Sequence, residues 1–167
     1  AERLLSGSDV VIDGTDSFEA RYSINDACKI LGIPWVFASV LRFEGQVSVF
    51  NYGNGPNYRD LFPDSPPPEL APSCADAGVL GAITGILGSI QAAEAIKILL
   101  GIGKTLSGRL LILDAMTMET RILQIRFQGK EDSEDVVELE FSNSISSSIQ
   151  PTQLKSMMDG GVELFLL

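Results

Sequence analysis

Asp13 and Asp16 stand three residues apart in Val10-Val11-Ile12-Asp13-Gly14-Thr15-Asp16-Ser17, between an apolar run and a helix-start signal. Carboxylates suit Mg²⁺, which takes oxygen ligands and is commonly shared between a protein and bound phosphates. The junction where a parallel strand ends and a helix begins is also where open α/β sheets bind ligands. A carboxylate there has a second use as a helix N-cap. On spacing alone Asp16 reads equally as cap or ligand site. Arg21 lies within the helix that follows, a cation near both carboxylates. Cys74, in Pro72-Ser73-Cys74-Ala75-Asp76, is a thiol in a long loop with no His or Lys beside it to lower its pKa, so any activation must come from the fold. The sequence contains no histidine, which removes imidazole both as a base and as a zinc ligand.

The elements that must position these groups follow from periodicity. Residues 8–13 form a short β-branched apolar run and predict a fully buried strand of a parallel sheet. A helix opening at Asp16-Ser17 runs to about Leu31, stopped by Gly32 with Pro34 beyond. Its apolar positions Ala20, Ile24, Ala27, Cys28 and Leu31 recur at three and four residues, which makes Cys28 a packed, structural cysteine. Residues 35–41 predict a second buried strand. Residues 42–50 predict an antiparallel strand with one wet face, from the alternation of Val47 and Val49. A connection of unusual length, 52–78, holds Pro66-Pro67-Pro68 and reads as a functional loop.

Residues 79–100 then predict a helix apolar on nearly every side, to be buried in the protein or against a partner. Its Gly81, Gly85 and Gly88 permit close approach of another backbone, and Ile90 is taken as a position on the outward side. Strands are expected at 108–114 and 120–126 with a turn at 115–118. Together these elements give an α/β fold whose parallel strands continue into antiparallel ones. Residues 129–148 are acidic and serine-rich and read as a linker; residues 149–167 open a new strand-and-helix pattern.

Composition removes several function classes. The formal net charge is −10 with a pI near 4.3, so no basic footprint for nucleic acid exists. The apolar stretch at 79–103 is interrupted by Gln91, Glu94 and Lys97, which argues for a helix of a soluble protein over a membrane span. Two cysteines are too few for a disulfide framework, and a cytoplasmic setting is expected.

Several motifs in fixed order resemble the ubiquitin-activating superfamily, above all the MoeB/ThiF-like adenylyltransferases of molybdopterin and thiamine synthesis. They are DGTDSFEARYSINDACKILGIPWVFASVLRFEGQVSVFN, PSCADAGVLGAITGILGSIQAAEAIKILLGIG and GRLLILDAMTMETRILQIR, which span the chain to about residue 126. The resemblance implies the C-terminal part of a Rossmann-like sheet. It also implies adenylation, by Mg-ATP, of the C-terminal carboxylate of a ubiquitin-like sulfur-carrier protein. Asp16 matches the aspartate at nucleotide and magnesium, with Asp13 and Ser17 beside it at the cofactor; the family usually has asparagine where Ser17 stands. Arg21 matches the family's arginine, which implies a catalytic role with a structural salt bridge as the alternative, and Arg42 likewise matches, with a role toward substrate. Cys74 falls where relatives carry a cysteine proposed to form a thioester or persulfide with the carrier.

Asn57 and Asp60 occupy the positions of the family's first zinc-binding cysteine pair, and no cysteine follows Cys74, so no zinc is expected. No glycine-rich phosphate loop precedes Asp13, so residues 1–128 are expected to be the C-terminal portion of the adenylyltransferase domain, without its nucleotide-binding half and inactive alone. Residues 149–167 resemble the start of a rhodanese domain. A homodimer is implied as well. The competing expectation is a non-catalytic module that docks a carrier or pairs with an active partner.

Overall fold

The computed structural model describes residues 1–66 and 78–127. Cys74, the linker expected at 129–148 and the rhodanese-like segment expected at 149–167 lie outside the described residues.

A short helix α1 (Glu2–Leu5) precedes strand β1 (Val11–Ile12), helix α2 (Phe18–Leu31) and strands β2 (Trp35–Leu41) and β3 (Glu44–Phe50). Helix α3 (Tyr58–Leu61), helix α4 (Gly81–Leu100) and strands β4 (Arg109–Asp114) and β5 (Glu119–Gln124) complete the order. The five strands make one sheet in chain order. β1 pairs with β2 in parallel and every later pair is antiparallel, so the parallel sheet does continue into antiparallel strands.

Side-chain alternation decides the layers. Val36, Val47 and Val49 point to one face, where α4 covers them with Ile83, Leu87, Ala95 and Ile98. Trp35, Phe37 and Phe50 point to the other, where they meet Tyr22 and Cys28 of α2 and Tyr58 of α3. β3 therefore has no wet face over its second half: residues 47–50 are all buried, against the alternation expected of it. A central strand roofed by helices on both sides buries both sets of side chains. Gly45 marks where α4 comes closest, since a Cβ there would lie 2.6 Å from Leu87 Cδ1.

Tyr58 sits at the hub of the aromatic face. Its ring centroid is 5.1 Å from Tyr22, 5.4 Å from Trp35, 5.3 Å from Phe37, 5.7 Å from Phe50 and 5.0 Å from Phe62. Edge-on and tilted rings at such spacing are favoured by the aromatic quadrupole. The backbone N–H of Tyr58 donates to Asn25 Oδ1 at 2.8 Å, which ties α3 to α2. The connection read as a functional loop thus contains a helical turn. A capping box forms it: Asp60 Oδ2 accepts from Asn57 N at 2.8 Å, and Asn57 Oδ1 accepts from Arg59 N at 2.9 Å. Asn57 and Asp60 thus serve as a local helix start.

Two further expectations are corrected. The strand read over 8–13 is only two residues long, and its Ile12 is 51% exposed rather than buried. β1 is the edge of the sheet with a single neighbour, so nothing in the described residues covers its free side. In α4, one stripe is buried: Ile83, Leu87, Gln91, Glu94, Ala95 and Ile98. The other side of the helix stays uncovered, with Ile96, Leu99 and Leu100 exposed. Gly81, Gly85 and Gly88 face open space, so no backbone among the described residues approaches them. Ile90 is half-buried and packs against the core, not outward. By length and composition α4 is long and apolar enough to cross a membrane; its inward stripe packs on the sheet as that of a core helix does.

Candidate functional site

β1 pairs in parallel with β2 at Trp35 and Val36, and where β1 ends, beside residues 38–40 of β2, a cleft of about 310 Å³ opens. Asp13, Thr15, Asp16, Arg21, Val40 and Gln91 are among the residues lining it. The turn from β1 to α2 is held from within. Asp13 is only 2% exposed, and its Oδ1 accepts from Thr15 N at 2.8 Å, the self-made turn aspartate favours. Arg21, 5% exposed, donates from Nη2 to Thr15 O at 3.2 Å. Its guanidinium lies 5.5 Å from the ring centroids of both Phe18 and Phe37, a cation–π setting. Arg21 is thereby fixed to the turn rather than paired with a carboxylate.

Asp16 differs from its neighbours. It is exposed, lines the cleft and makes no hydrogen bond or ion pair among the described residues. The N-cap of α2 is Ser17, whose Oγ accepts from Ala20 N at 3.1 Å. The reading of Asp16 as cap is therefore corrected: the helix starts one residue later and the cap is a serine. Asp16 is left free, at a helix N-terminus whose dipole favours negative charge. Ser17 is committed to the cap and does not line the cleft.

Asp13, Asp16 and Arg21 are thus brought together. Arg42 is not. It occupies the β2–β3 hairpin with φ 54°, and its backbone holds the chain entering α4, through Arg42 N to Gly78 O at 3.1 Å and Leu80 N to Arg42 O at 3.0 Å. Sequence reading gave Gln91 no role at the site. It is buried on α4 and donates from Nε2 to Asp13 O at 2.8 Å and Val36 O at 3.0 Å. The available signal was a polar residue within the inward stripe of an apolar helix. Glu94, one turn on, behaves alike: Oε2 accepts from Leu106 N at 2.7 Å and Oε1 pairs with Lys97 Nζ.

Burial holds the Asp13 carboxyl above its ordinary value of 3.8, against the opposing Thr15 hydrogen bond and Arg21 charge. A carboxyl whose folded pKa is raised favours the folded state below pH 3.8 and loses that contribution as pH rises through the folded value. Asp13→Asn keeps an acceptor for Thr15 N but carries no charge. Its stability relative to wild type should rise with pH across that window and then level off, as urea midpoints between pH 3 and 8 would show. A flat difference over the whole range would contradict the burial argument.

Among the described residues, no group of three or more His, Cys, Asp or Glu side chains gathers to hold a metal. The donor set at the cleft is one free carboxylate, Asp16, with the inner Asp13 nearby. That fits a Mg²⁺ ion bound by one or two carboxylates and completed by phosphate and water oxygens.

The ThiF family profile matches residues 1–134. The adenylyltransferase and sulfurtransferase MOCS3 of Drosophila sechellia is 50% identical over 126 residues, covering 75% of this chain and 28% of that protein. The probable adenylyltransferase/sulfurtransferase MoeZ of Mycobacterium tuberculosis is 43% identical over 174 aligned positions, covering 95% of this chain and 44% of that protein. The chain thus spans less than half the length of these relatives. Among solved structures, E. coli MccB with ATP superposes with a TM-score of 0.57 at 12% identity, covering 74% of this chain and 38% of that one. PaaA superposes with a TM-score of 0.55 at 20% identity, covering 74% and 37%. At such identities the structural likeness bears on the fold alone.

Proposed function

The chain belongs to the ThiF family, and from that membership we propose that it is part of an ATP-dependent adenylyltransferase activating the C-terminal carboxylate of a ubiquitin-like sulfur-carrier protein. The observation that carries this reading is Asp16: a free carboxylate in a cleft at the carboxyl ends of the parallel strands. The names of the fly and mycobacterial relatives support it. In the reaction a carrier carboxylate oxygen bonds to the α-phosphorus of ATP, the bond from that phosphorus to the bridging oxygen breaks, and pyrophosphate leaves. Mg²⁺, held by Asp16, would offset charge on the phosphates. Arg21, Asp13 and Gln91 hold the turn that presents Asp16. Cys74 is proposed as the later sulfur or thioester link to the carrier, and residues 149–167 as the opening of a rhodanese-like sulfurtransferase domain; the mycobacterial match, which reaches 95% of the chain, supports the second point. Zinc has no proposed part, because Asn57 and Asp60 are spent on a capping box. The proposed setting is the cytoplasm.

The phosphate-cradling residues are proposed to lie outside this chain. The purified chain alone should therefore show no ATP–pyrophosphate exchange, since orientation and charge stabilisation supply most of such catalysis. Joined behind the N-terminal half of the mycobacterial relative, it should exchange in the presence of a sulfur-carrier protein. A folded fusion that binds carrier yet never exchanges would replace the enzyme reading with that of a carrier-docking module.

The uncovered side of α4 supports a homodimer. Ile96 is 54% exposed, Leu99 56% and Leu100 64%, and a contiguous apolar patch of this kind is unusual on a soluble monomer. Sedimentation should give a dimer that Leu99→Lys dissociates by placing an unpaired ion in the contact. A monomer at high protein concentration would rule the dimer out.

A further inference from the structure

β1 and β2 make an evenly spaced parallel ladder as far as it goes. Val11 N donates to Pro34 O at 2.9 Å and Asp13 N to Val36 O at 3.0 Å. The next rung of such a ladder would run from Ala38 N–H to Asp13 O. It is not made. The Asp13 carbonyl is instead held by Gln91 Nε2 at 2.8 Å, and the same amide donates to Val36 O at 3.0 Å. Both protons of that amide are used, and both acceptors belong to the last completed rung. Beyond it the chain leaves the sheet at Gly14, and the cleft opens between the departing turn and residues 38–40 of β2.

We infer that Gln91 is a positioning residue: it ends the β1–β2 ladder at Val36 and so sets the direction in which residues 14–16 leave the sheet, carrying the Asp16 carboxylate to the cleft. An apolar side chain at this place would pack against the sheet equally well but could not occupy the Asp13 carbonyl. β1 would then be free to continue pairing with β2 and narrow the cleft. The device spans 78 residues of sequence and uses an α4 side chain on the stripe that already faces the sheet. Two other clamps act further along the same turn, the Asp13 carboxylate on Thr15 N and Arg21 on Thr15 O. Gln91 acts at its root.

The inference about catalysis rests on the adenylation reading, whereas the geometry does not, and the test separates them. In the wild-type chain the Gln91 side-chain amide protons should exchange with solvent at least about tenfold more slowly than those of the half-buried Gln46 and exposed Gln124. Gln91→Met, close in shape but without a donor, should speed exchange of the Thr15 amide by about tenfold while the β3–β4 ladder keeps its protection. Fast exchange of the wild-type Gln91 amide, or wild-type Thr15 exchange in Gln91→Met, would overturn the inference. In the fusion with the mycobacterial half, Gln91→Met should lower kcat for exchange at least about tenfold with KM for ATP changed less than threefold. Unchanged kcat would again overturn it. A wild-type fusion that does not exchange defeats the adenylation reading instead, and leaves the proton-exchange result to decide Gln91.

Discussion

Replacing Asp16 by asparagine should lower carrier-dependent ATP–pyrophosphate exchange in the fusion protein by about 10²–10³-fold, the usual loss when one preorganised charge-stabilising group is removed. Asparagine keeps the shape and one acceptor oxygen but not the charge that fixes a divalent cation among phosphates. The fold should not notice. Asp16 is exposed and has no partner among the described residues, and substitutions at such positions stay within about ±0.5 kcal/mol. Ser17→Ala supplies the contrast. It removes the acceptor for Ala20 N, should cost about 1 kcal/mol of stability, and should leave kcat nearly unchanged. If Asp16→Asn retained more than a third of wild-type exchange, with Mg²⁺ dependence unaltered, the cleft would not be the nucleotide site. If Ser17→Ala proved the more damaging to catalysis, the assignment would move one residue.

Truncating Tyr58 to alanine should destabilise the chain by about 3–5 kcal/mol, the range for removing a large buried aromatic side chain. Tyr58 is 1% exposed and touches five other rings, so no neighbour can collapse into the space without giving up its own packing. A stability of about 5–15 kcal/mol is typical for a domain, and about a fifth or more of it would vanish. The measurement is a urea midpoint with the slope checked for two-state behaviour. A loss under about 1 kcal/mol would mean that the aromatic face is loosely packed. Phenylalanine at the same site should restore most of the loss, because every ring contact survives.

These expectations draw unequally on what could be read from the residues. The sequence alone determined the local elements. Helix α2 ends at Leu31 with Gly32 at φ 68°, as the glycine and the following proline announced. Strand β2 spans 35–41 and the β4–β5 hairpin turns at 115–118, as alternation and turn residues required. The motif around Asp13, Asp16 and Arg21 was legible too, because strand, turn and helix start are all encoded within one short stretch. Tertiary structure decided the rest, and for one reason: coverage and partners come from residues far along the chain. Gln91, from far along the chain, holds the Asp13 carbonyl at the root of the turn that precedes the helix. β3 lost its expected wet face because α3 and α4 roof opposite sides of it, and β1, expected to be buried, is an edge strand with Ile12 exposed. Periodicity reports which side chains share a face. Only the folded neighbours fix what that face meets, so a hydrogen bond from Gln91 to a backbone carbonyl 78 positions earlier shows locally only as a polar residue in an apolar helix.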